Sequence, residues 1–218
     1  QFVREGGFYE QITCYHYGDQ ECYFELDLTF DADFKDIFEI RGIKRKQQTN
    51  RAYFNIKDGC CAIACLGLDG ITRKTMIKFD SDVDYKLDER AATFKLALKS
   101  KESVVIRYCI HFIVEPDTNS HHDFSTAKAA QQNDLQRDKL LFCDVSTSNE
   151  QLNHWINRSR VDLLSLIAHT STGRYPYAGV PWFNAPFGRD GLVTAIETLW
   201  LAPEISRYVL IFLARKQG

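Results

Sequence analysis

The sequence predicts a mixed chain, β first and α second: a β-sandwich over residues 1–115, a linker over 116–147 and a helical part over 148–218. Three observations predict it. Apolar residues alternate with polar ones through the first half, which is the period of a half-buried strand. After Thr147 the apolar spacing changes to that of helices. All three Trp (155, 182 and 200) and four of the five Pro (176, 181, 186 and 203) fall after residue 150, a compositional shift that marks a domain boundary.

The elements follow in order. In Cys22–Phe30 the set 22, 24, 26, 28 and 30 is apolar and alternates with mostly polar neighbours, so one face of a strand points to a core. Asp69-Gly70, between the apolar runs Cys60–Leu68 and Thr72–Phe79, predicts a hairpin, because such a turn needs residues that tolerate positive φ. Phe94, Leu96 and Leu98 alternate with Thr93, Lys95 and Lys99. Val104, Ile106, Tyr108, Ile110, Phe112 and Val114 alternate with residues that include Ser103, Arg107, His111 and Glu115. Strands at this spacing predict two packed sheets. Pro116–Ser120 is turn chemistry, and Ala127–Arg137 is polar with moderate helix propensity.

Thr147 and Glu150 have the spacing of a capping box ahead of a first helix, whose face carries Leu152, Trp155, Ile156, Leu163, Leu166 and Ile167 and which runs to about Ala168. A second helix follows Asp190, with Leu192, Val193, Ile196, Leu199 and Trp200 as its apolar side. A third opens at Pro203, a favoured first position, and its Tyr208–Ala214 segment is apolar all round, which predicts burial between neighbours.

Composition narrows the function classes. With 44% hydrophobic and 26% charged residues the chain is neither fibrous nor wholly disordered. A net charge of −2 without a run of one sign leaves no footprint for nucleic acid. No stretch approaches the roughly 18 apolar residues of a membrane span. Seven cysteines, an odd number without regular spacing and partly inside apolar runs, predict free thiols and a cytoplasmic protein. Gln1-Phe2-Val3-Arg4-Glu5 has neither an initiator Met nor the order of a signal peptide, which predicts a piece of a longer protein.

No metal site and no cofactor are predicted. Cys60, Cys61 and Cys65 lie in an apolar run and lack the spacing of zinc ligands. Asp31, Asp33, Asp36 and Glu39 are dense, but counted from Asp31 the sixth position is Asp36 where a calcium loop needs Gly, and the twelfth is Gly42 where it needs Glu. His121-His122-Asp123 falls in the linker without a spaced partner.

The candidate site is Tyr175–Asp190, a loop of aromatics, Pro and Gly that ends in Arg189-Asp190 at a helix start. Flat aromatic faces, a guanidinium that donates in a fork and a carboxylate with several acceptor sites suit a hydroxyl-rich ligand. The residues alone leave a second reading open, in which Asp190 serves the helix start with Arg189 as its ion-pair partner and the aromatics pack a helical floor.

Ala178–Phe183, Phe187–Asp190, Leu199–Pro203 and Leu213–Gly218 resemble the opening of the catalytic domain in the bacterial and archaeal glycogen debranching enzymes, the amylo-α-1,6-glucosidases. Asp33–Gly42 resembles the sandwich signature of the same family, so two motifs agree in order along nearly the whole chain. The resemblance implies a sandwich followed by the first helices of a six-hairpin (α/α)6 toroid that cleaves α-1,6-linked glucose with inversion. An inverting pair of carboxylates stands about 6.5–9.5 Å apart around a water, and the resemblance places that pair on later helices, outside these residues. It makes Trp182, Phe187, Arg189 and Asp190 substrate-binding, and an α-glucan the partner. A non-catalytic glucan-binding module is the alternative; a scaffold role follows only if a partner chain covers the third helix.

Overall fold

The computed structural model describes residues 1–44, 53–116, 122–179 and 182–217. Asp117–Ser120 of the expected turn, His121, Val180, Pro181 and Gly218 lie outside them. Strands occupy the chain as far as Val114, and helices dominate the remainder. Two units meet between Gln131 and Gln132, inside the 116–147 segment.

In the first unit the strands are β1 (Phe2–Arg4), β2 (Gly7–Tyr15), β3 (Cys22–Thr29), β4 (Tyr53–Lys57), β5 (Cys60–Leu66), β6 (Thr72–Ser81), β7 (Tyr85–Leu87), β8 (Ala91–Leu98) and β9 (Ser103–Val114), with a single-turn helix α1 (Ile37–Ile40) after β3. All pairings are antiparallel. One sheet has the order β1-β2-β9-β6-β5-β4 and the other β3-β8-β7. Cys61, Ile63, Ile77, Phe79 and Ile106 from the first sheet meet Ala92, Phe94 and Leu96 from the second in one buried core. The alternation in β8 is therefore the inward face of a sandwich. The Asp69-Gly70 hairpin forms as expected: Gly70 has φ +75°, and the Gly67 N–H donates to the Ile71 carbonyl at 2.9 Å.

The two sheets differ in reach. β6 and β9 are 10 and 12 residues long, against 8 for β8. Thr75 lies opposite Phe112 and Arg73 opposite Val114, on the same sheet face as the core residues Ile77 and Ile106. Phe112 and Val114, expected in the core, are nevertheless 57% and 53% exposed, because the shorter sheet does not extend over them. The Phe30–Asp36 connection closes this end instead. Its Phe30, Ala32 and Phe34 pack on the core, and Phe34 takes φ +50°, a left-handed conformation that costs a bulky residue on the order of 1 kcal/mol and that packing must hold.

His111, expected on the polar face of β9, is 3% exposed. The outer face of β9 is covered: Tyr9, Cys109, Phe124 and Ala127 form a second cluster there, and the Tyr9 hydroxyl bonds His111 Nε2 at 3.1 Å. Phe124 and Ala127 belong to α2 (Phe124–Lys139), a helix within the segment expected to be a linker. Asp123 starts it by accepting the Thr126 N–H at 2.8 Å. The acidic cluster has local roles as well. Asp36 caps α1 through the N–H groups of Phe38 and Glu39, and Glu39 accepts the Asp36 N–H in return.

The second unit holds α3 (Glu150–Leu166), β10 (Ile167–Thr170), β11 (Gly173–Pro176), α4 (Gly188–Thr198) and α5 (Pro203–Lys216). Four expectations need correction here. The N-cap of α3 is Asn149, whose side chain accepts the Leu152 N–H, while Thr147 bonds Asn149 and Asn153 instead of closing a box with Glu150. The helix ends at Leu166, because Ile167 and Ala168 enter a short hairpin. The helix after it starts at Gly188, ahead of Asp190, and buries Gly191 and Ala195, whereas Leu192, Val193, Ile196, Leu199 and Trp200 are exposed. Small residues let α4 approach β11 and α5 closely, and the Ser206 hydroxyl on α5 donates to the Ala195 carbonyl at 2.6 Å across that contact. Finally, α5 buries Ile205, Ser206 and Val209 but leaves Leu210 57% exposed, so its apolar girdle is covered on one side among the described residues.

Candidate functional site

The start of α4 is positioned from below by Tyr175. This ring is fully buried, lies 4.6 Å from Phe212, and donates its hydroxyl to the Phe187 carbonyl at 2.9 Å. Phe187 is the N-cap residue of α4 and offers no side-chain cap; its carbonyl also accepts the Gly191 N–H. Burial, with the Asp190 carboxylate adding to it, raises the Tyr175 pKa, so the hydroxyl remains a donor at neutral pH. Gly191 is required for this contact, since a Cβ at that position would stand 2.2 Å from the tyrosine oxygen.

Arg189 and Asp190 occupy the first turn of α4, where the helix dipole favours a carboxylate. Their closest approach, Arg189 Nε to Asp190 Oδ2, is 3.9 Å. Arg189 is 88% exposed and Asp190 38%, so the pair is loose and solvated; Arg189 can still donate hydrogen bonds to a ligand and Asp190 can still accept them. Both line a cleft of about 340 Å³ with Leu163 and Leu166 of α3, Pro176 at the end of β11, Tyr177 and Ala178 after it, and Val193 and Thr194 of α4. That volume is at the small end of the roughly 300–1,000 Å³ usual for small-molecule sites. Its mixture of an apolar floor with one cation, one carboxylate, a phenol and a hydroxyl can orient a single polyhydroxylated ring.

The other two expected residues are placed differently. Trp182 and Phe187 are each 41% exposed and are not among the residues lining this cleft. Phe187 stacks edge-on to Phe183 at 5.9 Å, and Phe183 pairs with Gly179 in a two-residue bridge that encloses Trp182 in sequence. Tyr177 and Thr194 were not singled out from sequence. Tyr177 stood in the aromatic loop without a distinguishing signal, and Thr194 is placed by α4 beginning earlier than its apolar pattern. Among the described residues no group of three or more His, Cys, Asp or Glu side chains is arranged to hold a metal ion, and no helix is long and apolar enough to cross a membrane.

Comparison with known proteins adds three findings. A search of curated proteins returns no match. Among solved structures, one described as a kojibiose phosphorylase from the human microbiome resembles the chain with a TM-score of 0.36 and 14% identity, over 74% of this chain and 20% of that one. The chain thus spans about a fifth of the length of that protein. Residues 1–109 match the family described as the N-terminal domain of some glycogen debranching enzymes. The match covers β1 to β8, most of β9 and the Asp33–Gly42 segment on which the sequence resemblance rested, and by it the chain belongs to the glycogen debranching enzyme family.

Proposed function

We propose that this chain is the glucan-binding part of an amylo-α-1,6-glucosidase that releases glucose from branch points with inversion. The observation that carries the reading is the placement of Arg189 and Asp190 together on the first turn of α4, lining a monosaccharide-sized cleft, in a chain whose first half belongs to the debranching family. Asp190 accepts from two hydroxyls of the terminal glucose and Arg189 donates to a third. Trp182 and Phe187, on the loop leading into α4, supply apolar ring faces to the neighbouring sugar. Helices α3 to α5 are then the first of the (α/α)6 toroid, and the exposed side of α4 and α5 is where further helices pack. The general acid and base stand on those further helices, outside the 218 residues. The protein works in the cytoplasm.

The test is release of free glucose from a limit dextrin by this chain, by the whole debranching protein, and by that protein with Asp190→Asn. The chain alone should stay at background, because it lacks the proton transfer that contributes about 10²–10⁴-fold. The Asp190→Asn form should lose kcat/KM by about 10- to 100-fold, as expected for one charge-assisted hydrogen bond of about 1.5–3 kcal/mol. Hydrolysis by the chain at a rate comparable with the whole protein would show that the acid and base lie between Gln1 and Gly218, against the proposal.

A further inference from the structure

We infer that the groove at the Phe30–Asp36 end of the sandwich is a second sugar-binding site, which grips a stretch of neutral glucan chain and shares no residue with the Arg189–Asp190 cleft. The groove lies between the Asp31–Asp36 connection and the overhanging ends of β6 and β9, and encloses about 680 Å³. A smaller pocket of about 230 Å³ shares Phe34, Asp36 and Arg73 with it and continues towards the β5–β6 turn at Gly67–Asp69. The two together form a trough with room for more than one sugar ring.

Its chemistry selects a neutral, hydroxyl-rich ligand. In the larger groove three carboxylates, Asp31, Asp33 and Asp36, stand beside three cations, Lys35, Arg73 and Lys74, so its lining carries no net charge; the smaller pocket adds Glu39 and Asp69, which are engaged by the Asp36 N–H and by Arg73. A phosphate or an amine would meet as much repulsion as attraction in the larger groove. A sugar hydroxyl both donates and accepts, and uses the two kinds of group equally well. Asp36 is engaged in capping α1 and Lys74 pairs with Glu115, but Asp31 and Asp33 keep capacity for it: each accepts one neighbouring N–H, at 2.8 and 3.2 Å, meets its cation only at 3.9 and 3.4 Å, and is 62% and 66% exposed. Arg73 is held by two bonds to Asp69, at 3.0 and 2.7 Å, so its stem lies in a fixed position along the wall. Phe112 supplies the apolar platform. Its ring stands on the inward face of the long sheet beyond the reach of the short one, where the flat carbon face of a pyranose can cover what the second sheet leaves bare.

Only the identity of the sugar as α-glucan rests on the proposed function; the groove itself lies wholly within the first unit. The experiment is titration of the ¹⁵N-labelled chain with maltoheptaose, followed by amide NMR. Saturable shifts are expected at residues 31–36, 73–75 and 112–114. Phe112→Ala should weaken the affinity read at those amides by about tenfold, the effect of truncating an aromatic anchor, while leaving the thermal midpoint and any shifts at 176–194 unchanged. Shifts confined to 176–194 overturn the groove and leave the Arg189–Asp190 reading standing. Shifts confined to the groove support it and remove that reading. No shift at millimolar maltoheptaose overturns the groove, as does an unaltered affinity in Phe112→Ala, or saturation of the same amides by inorganic phosphate in place of the sugar.

Discussion

Replacing Gly191 with alanine isolates the contact on which the start of α4 depends. A Cβ built there stands 2.2 Å from the Tyr175 hydroxyl oxygen, 2.6 Å from Cζ and 3.0 Å from Cε1, where ordinary contact begins near 3.4 Å. Helix and ring must therefore part by about 1 Å. The ring cannot simply swing away, because it is fully buried and packed on Phe212. Overpacking of this kind costs about 1–3 kcal/mol. Displacement also stretches the 2.9 Å bond to the Phe187 carbonyl, a further 0.5–1.5 kcal/mol or so. Against this, alanine gains up to about 1 kcal/mol over glycine inside a helix. The balance is a destabilisation of about 2 kcal/mol, which for a unit of this size lowers the melting midpoint by about 10 °C. All three tryptophans belong to the second unit, so their fluorescence during thermal or urea unfolding reports that unit alone. Tyr175→Phe in the Gly191→Ala background removes the nearest clashing atom and keeps the 2.6 Å one. The double variant should thus recover part of the loss, with a coupling energy of at least about 0.5 kcal/mol. A Gly191→Ala protein that melts at or above the parent midpoint would refute the reasoning, since helix propensity would then outweigh the contact.

Three further outcomes are expected. Thiol titration of the denatured chain without reductant should count close to seven, and in the folded chain exposed Cys143 should react before Cys109, whose pKa burial pushes up to about 11; a count near one would mean that disulfides form. Tyr9→Phe removes the buried bond to His111 and should cost the first unit about 1–3 kcal/mol in urea unfolding followed by circular dichroism, against no loss if water replaces it. The carboxyls of Asp33, Asp123 and Glu115 are held below their ordinary pKa, chiefly by hydrogen bonds from the Lys35 and Thr126 backbone N–H groups and from the Lys74 ammonium respectively. Depressed carboxyls stabilise the fold above the unfolded pKa and lose that stabilisation as pH falls through the folded one. The melting midpoint should therefore drop below about pH 4, and less so in an Asp123→Asn, Glu115→Gln variant; these groups are exposed, so the difference is small.

The strands were legible because a sheet face repeats every second residue, and Phe94, Leu96 and Ile106 all landed in the shared core. Periodicity does not report how far the partner sheet extends, which is why Phe112 and Val114 continue the inward pattern and yet stay exposed. Nor does it report a second cover: His111 is polar, but the outer face of β9 is buried under Phe124 and Ala127. In α4 the signal pointed to the wrong side. Bulky residues dominate any apolar pattern, while a helix that packs at close range uses Gly191 and Ala195. Arg189 and Asp190 could be placed at a helix start from the motif and the pattern after it. Tyr177 and Thr194 became visible only once the β10–β11 hairpin, hidden by Ile167 and Ala168 continuing the helical spacing, had fixed where the loop begins.

The pairing of β2 with β9 also sets the tempo of assembly. Gly7 lies opposite His111 and Tyr15 opposite Ser103, so nine consecutive partners are separated by about a hundred residues of chain. β3 likewise waits for β8, Cys22 pairing with Leu98. Closing such distant pairs costs loop entropy before any contact repays it, and folding slows accordingly. On the ribosome, at about 5–20 residues per second, β2 waits on the order of 5–20 s for its neighbour to be made. Until then the hairpin of β5 and β6 can form, but β6 keeps an open edge on the side that β9 will occupy. A chain stopped before Ser103 leaves β2 and β6 with unpaired edges, which are templates for aggregation, and its half-built sandwich should be a substrate for chaperones.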